Sequence, residues 1–158
     1  MLLYPKSSEI LVSSLTREDV CTRLETVTLD VDFLDSSTYR EESHYFFNGK
    51  IGEHSFSISP FIKRADSFLP QIKGRIETAK SGTIIFITYQ LFFSSICFLF
   101  FWSAVCLLMA LYLIILKEQI LFAALFISFG TFNYLFAVNT FSRKMRASQR
   151  LLHQLLTK

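Results

Sequence analysis

The sequence predicts an α+β membrane protein. It reads as a small antiparallel four-stranded β meander with one helix, then a two-helix transmembrane hairpin, then a C-terminal basic amphipathic helix. Three observations predict this. No charged residue occurs between Ser81 and Leu116, and after the pair Lys117-Glu118 none occurs from Gln119 to Ser142. Before Gln90 the apolar residues alternate with polar ones over short runs separated by turn residues, as half-buried strands require. Beyond Phe141 come Arg143, Lys144, Arg146 and Arg150 with no acid among them. The expected organisation is a cytoplasmic α+β domain over residues 1–90, a hairpin over 91–141 with spans 91–116 and 120–141, and a basic tail over 142–158.

In chain order, Ile10-Leu11-Val12 suits a short strand or an approach segment. A helix then starts at Thr16. Asp19 three residues on makes a capping-box-like pair with it, Leu15 and Val20 fit a hydrophobic staple, and Glu18 and Asp19 favour the positive end of the helix dipole. Val20, Leu24 and Val27 continue on one face, giving about three turns. The polar stretch from Asp30 to Glu42 is a connection. For the first hairpin, a turn at Asn48-Gly49 is a strong signal in isolation. A turn at Gly52-Glu53 instead pairs Ile51 with His54, Lys50 with Ser55, Gly49 with Phe56, Asn48 with Ser57 and Phe47 with Ile58. Polar then meets polar, apolar meets apolar, and Phe56 covers a glycine, so this register is preferred. Two further strands are expected over residues 69–77 and 83–90, joined by 78–82. Ile72, Gly74 and Ile76 share one face of the first, with Lys73 and Arg75 on the other. Ile84-Ile85-Phe86-Ile87 is apolar on both faces, as a central or membrane-proximal strand would be.

A helix that crosses the hydrocarbon needs about 20 mainly apolar residues. The two segments supply 26 and 22. Their link, Lys117-Glu118-Gln119, is so short that the helices must lie antiparallel and adjacent. Lys and Arg near the span ends set orientation. Lys73, Arg75 and Lys80 precede the first span, the four basic residues of the tail follow the second, and the link offers only Lys117. Both termini are therefore expected in the cytoplasm and the hairpin in the cell inner membrane. The opening Met1-Leu2-Leu3-Tyr4-Pro5-Lys6 lacks the pattern of a removable signal peptide, so the first span would act as its own targeting signal. Within the spans Gly130 and Asn133 are candidates for helix association, or for a contact inside the hairpin. No Asp, Glu, Lys, Arg or His lies inside either span, which argues against an ion-coupled pump. The three cysteines, two of them in the first span, argue against a disulfide framework; reducing surroundings are the simpler expectation.

The run Phe47-Asn48-Gly49-Lys50-Ile51, Phe56-Ser57-Ile58, Asp66-Ser67-Phe68-Leu69-Pro70-Gln71-Ile72-Lys73-Gly74-Arg75-Ile76 and Gly82-Thr83 resembles a pattern in small uncharacterised bacterial membrane proteins. Those carry a short β-rich domain followed by two spans. The resemblance implies a shared fold and placement and brings no activity with it.

No nucleophile–base pair, phosphate loop, metalloprotease motif or dinucleotide fingerprint occurs, so catalysis, cofactor and metal are not expected. His44 and His54, with Cys21 and Glu53 nearby in the chain, fall at opposite ends of the first hairpin and read as surface histidines. Asp30, Asp32 and Asp35 read as a solvated connection. Lys63, Arg64, Lys73 and Arg75 form a candidate anion or partner site, against the plainer reading of a charge-balanced face. Arg143, Lys144, Arg146 and Arg150 are the candidate membrane-surface group. The tail from Phe141 onward reads as an amphipathic helix continuing from the second span, and its Met145, Ser148, Leu152, Leu155 and Leu156 share a face that could meet the headgroups, the β domain or a second copy. The expected function is a non-enzymatic inner-membrane protein whose cytoplasmic domain is a regulatory or accessory binding module. It would self-associate or bind another protein, and no nucleic acid is expected as a partner. The alternative is a membrane-disrupting effector of a bacterial defence or toxin system.

Overall fold

In the computed structural model, residues 5–30, 45–61 and 68–157 are described. Among them the chain forms β1 (Lys6–Ser13), α1 (Arg17–Val27), β2 (Thr28–Leu29), β3 (Phe47–Ile51), β4 (Ser55–Pro60), β5 (Pro70–Ala79), β6 (Gly82–Leu91), α2 (Phe93–Lys117) and α3 (Ile120–Leu156). The meander β3-β4-β5-β6 is as expected from the alternation, but the sheet has six strands rather than four, in the order β1-β6-β5-β4-β3-β2. β1 closes one edge by pairing antiparallel with β6, Lys6 opposite Gln90 and Ser13 opposite Thr83. β2 adds two residues parallel to β3 at the other edge. Both additions join segments distant in sequence, which local alternation cannot announce.

The register of the first hairpin also differs from the expected one. Ile51 faces Phe56 and Phe47 faces Pro60, a slip of two residues that puts Glu53-His54 at the tip. Gly52 N donates to Ser55 O at 2.8 Å across that turn. A slip of two leaves every side chain on its original face, because the strand period is two. Burial pattern alone therefore does not choose between the registers. The next strand chooses. Phe56 lies opposite Gly74 of β5, not Gly49, and a Cβ at Gly74 would collide with the Phe56 ring. The aromatic ring thus fills the space that a glycine leaves, on the neighbouring strand.

β5 and β6 outrun their expected ends and meet in a tight turn at Lys80-Ser81, with Ala79 opposite Gly82. Gly82 has φ +133°, and its α-carbon lies against the backbone of Ser13, so only glycine suits the place where β1 ends over this turn. β6 lies between β1 and β5 with Ile85, Ile87, Tyr89 and Leu91 buried on one face and Ile84 and Phe86 half-buried on the other.

α1 starts as its sequence predicts. Thr16 accepts from Asp19 N, Asp19 returns its side chain to the Thr16 backbone, and Val20 and Leu24 are fully buried against the sheet. α2 and α3 form the antiparallel pair, both long and apolar enough to cross a membrane. The tail continues the second apolar helix, α3 running unbroken from Ile120 past Phe141 to Leu156. Of the three surfaces open to it, the tail meets the sheet. Phe141, Leu152 and Leu156 are buried in one core with Leu11, Val20, Leu24, Ile85 and Ile87.

Candidate functional site

The sheet is joined to the helical pair twice, and the joint is the most highly constructed polar region among the described residues. The first link is covalent: only Phe92 separates the end of β6 from the start of α2. The second is the seam between the last turns of α3 and the inner face of the sheet. Leu152 and Leu156 fill it, and partly buried Met145, Leu151 and Leu155 close its sides.

The final carbonyls of a helix have no intrahelical partner. At this end two of them receive donors from elsewhere in the fold. Ser13 Oγ donates to Leu156 O at 2.6 Å, and Arg23 Nη1 donates to Leu155 O at 3.0 Å. The guanidinium also complements the negative end of the α3 dipole. Ser13 ends β1 and Arg23 belongs to α1, so one helix terminus holds both.

Midway along the seam the Glu9 carboxylate gathers three elements. Tyr89 on β6 donates its hydroxyl to Glu9 Oε1 at 2.6 Å. On the other oxygen, Gln149 Nε2 donates at 3.2 Å and His153 Nε2 approaches at 3.4 Å, both from α3. Tyr89 is fully buried. Burial first, and then the hydrogen bond and charge of Glu9, push its phenol well above the ordinary tyrosine range. The network holds strand β1, strand β6 and the tail in one arrangement. None of Glu9, Tyr89, Gln149 or His153 is singled out by the sequence reading. One signal does exist: Glu9 shares its strand face with Leu11 and Ser13, so an acid sits on the inward register of an otherwise buried alternation.

The residues expected to form sites distribute differently. Lys63 and Arg64 lie outside the described residues. Lys73 and Arg75 are exposed on the sheet face opposite α3, as their alternation requires. Arg75 ion-pairs with Glu77 and stands over the Phe86 ring at 5.3 Å from its centroid. Arg143, Arg146 and Arg150 are exposed along the tail, and Lys144 is half-buried. Gly130 faces the hairpin partner: a Cβ there would stand 3.2 Å from Cys106 Cβ. With Ser103, Thr131 and Tyr134 they line an open notch of ≈ 340 Å³ between the two helices. Asn133 is half-buried on the same helix and is not part of that lining.

On the far side of the domain, Arg17, Cys21, Glu25 and Glu53 line an open groove of ≈ 330 Å³. Arg17 is bound to Glu53 at 3.1 Å and to His54 Nδ1 at 3.0 Å, so its charge is already paired. The Cys21 thiol is held above its usual value, by burial first and then by Glu25, which disfavours the thiolate a nucleophile needs. Among the described residues no three metal-ligating side chains cluster; His44, Asp32 and Asp35 lie outside them. No family model matches the chain, and neither a curated protein nor a solved structure matches it.

Proposed function

We propose that the protein is a non-enzymatic inner-membrane protein with both termini in the cytoplasm, whose sheet domain is a regulatory or accessory binding module. The unbroken α3 carries this reading. One helix continues from the apolar pair into the core of the sheet, so a partner that shifts the sheet also shifts the helix. Coupling of that kind needs a rigid element shared by both regions. Burial supports the membrane: in their most apolar windows the two helices are only 17% and 11% buried, so nearly all of that surface needs a cover from outside the chain. Hydrocarbon is the cover whose thickness matches, since a 25-residue helix such as α2 is about 37 Å long against a core of about 30 Å. The basic residues after the apolar stretch of α3, set against Lys117 alone in the link, support the orientation.

The binding surface in this reading is the outer sheet face, which Lys73 and Arg75 on β5 share with exposed Ile10 and Val12 on β1, the strand β6 lying between them. Reporter fusions at both ends, with the oligomeric state measured in native-lipid nanodiscs, test the proposal. Cytoplasmic reporters and an assembly weakened by Lys73→Glu with Val12→Asp are expected. An external reporter at either end refutes the orientation, and a monomer that takes no partner refutes the module. The effector alternative draws on the hydroxyl-lined notch of Ser103, Thr131 and Tyr134, which several copies would have to turn toward one pore. Induced expression that leaves membrane potential intact removes it.

A further inference from the structure

We propose that the hairpin-side rim of the sheet is an aromatic foot seated in the headgroup region of the bilayer. The proposal rests on the membrane insertion of α2 and α3 argued above and extends it to the sheet itself. Strand register sets the level of the rim. Pro70 of β5 lies opposite Leu91 of β6, Phe47 of β3 lies opposite Pro60 of β4, and Phe61 N donates to Phe46 O at 2.9 Å. The four strands β6, β5, β4 and β3 therefore end at one level. Just outside those ends stand Phe92, Phe68, Phe61 and Phe46, with Tyr45 beside the last.

The opposite rim is of another kind. Its turns are Ser14 after β1, Gly52-Glu53-His54 between β3 and β4, and Lys80-Ser81 between β5 and β6, with no aromatic residue. The domain's own core accounts for Phe68 but not for the rest of the row, because Phe46 is 54% exposed and Phe61 and Phe92 are only half-buried. Phe68 shows where the row points. It is buried between the helices of the hairpin, its ring 6.4 Å from Phe98 and 6.5 Å from Phe136. Since a single residue joins β6 to α2, the level of Phe92 is the level at which the apolar helix begins. From there the row extends sideways over three strand spacings, about 14 Å. Exposed rings at such a level bury their apolar bodies at the boundary of headgroups and acyl chains, as the apolar faces of interfacial helices do. The continuity with the hairpin argues for lipid as the occupant rather than a second copy.

Tryptophan quenching in the full-length chain tests this, using vesicles of mixed phosphatidylcholine and phosphatidylglycerol brominated either near the headgroup or deep in the acyl chain. Trp102, the single tryptophan, reports the hairpin. In a Trp102→Phe background, Phe46→Trp reports the foot, Phe61→Trp repeats the measurement should the first variant misfold, and His54→Trp reports the far rim. The indoles introduced at positions 46 and 61 are expected to be quenched more by shallow than by deep bromines, and the one at 54 by neither. If Trp102 is quenched while those at 46 and 61 are open to acrylamide and not to bromolipid, the foot is overturned and the hairpin stands. Shielding from both quenchers at 46 and 61 indicates a protein cover and overturns it too. An unquenched Trp102 overturns the insertion on which the foot rests.

Discussion

Leu152→Ala is the sharpest probe of the seam between α3 and the sheet. Leu152 is fully buried in the core that joins the tail to Val20, Leu24, Ile85 and Ile87. Truncating a leucine in such a place costs about 2–5 kcal/mol, the transfer term plus the cavity left behind. The residue has no role inside the hairpin, so the cost falls on the docking of the tail. At about 1.4 kcal/mol per tenfold, the undocked population should rise by about 30-fold at the least and by a few thousandfold at the most. Trypsin reads that population. Arg146 and Arg150 are exposed but helical, and a helix must open before a protease can cut it. Where reclosing outpaces cleavage, the rate follows the open population. In nanodiscs, cleavage at Arg150 should therefore accelerate by about 30-fold or more. Cleavage at Lys50 on β3, far from the seam, should change much less. Leu116→Ala serves as the control, because Leu116 is 66% exposed at the other end of the hairpin. A tail that is cut no faster in Leu152→Ala than in the wild type would refute the seam, and with it the coupling of sheet to helix.

Further outcomes follow from particular contacts. Gly74→Ala should destabilise the sheet by about 1–3 kcal/mol through overpacking against Phe56, and Phe56→Leu should recover much of that loss in the double variant; additive denaturation midpoints would show that the two do not meet. Gly130→Cys should form a disulfide with Cys106 within one chain on mild oxidation, because the introduced Cβ stands 3.2 Å from that of Cys106 and a shift of a few tenths of an ångström brings the pair to the roughly 3.5–4.5 Å that a disulfide spans. Oxidised dimers on a gel would instead place Gly130 against a second copy. Tyr89 carries a pH dependence whose sign is set by its raised phenol. The unfolded chain releases that proton near pH 10 while the folded chain holds it, so the contribution is full below about pH 10 and is lost above it. The stability margin of the wild type over Tyr89→Phe should shrink as pH climbs through that range; a margin constant with pH would refute the burial of the phenol beside Glu9.

Much of the architecture is legible in the chain itself, because its signals are local. The apolar stretches of α2 and α3 follow from runs without charge, α1 from the Thr16–Asp19 box, and the inward face of β5 from the alternation of Ile72, Gly74 and Ile76 with Lys73 and Arg75. Local periodicity determines which face of an element is apolar. It does not say which other surface that face will find. That choice belongs to the tertiary structure alone. It paired β1 with β6 across the whole domain, shifted the first hairpin by two residues so that Phe56 could cover Gly74, and laid Leu152 and Leu156 on the sheet rather than on a membrane surface. The Glu9 network is decided the same way. Its members come from positions 9, 89, 149 and 153, and only the packing of α3 against β1 and β6 gives one carboxylate three partners.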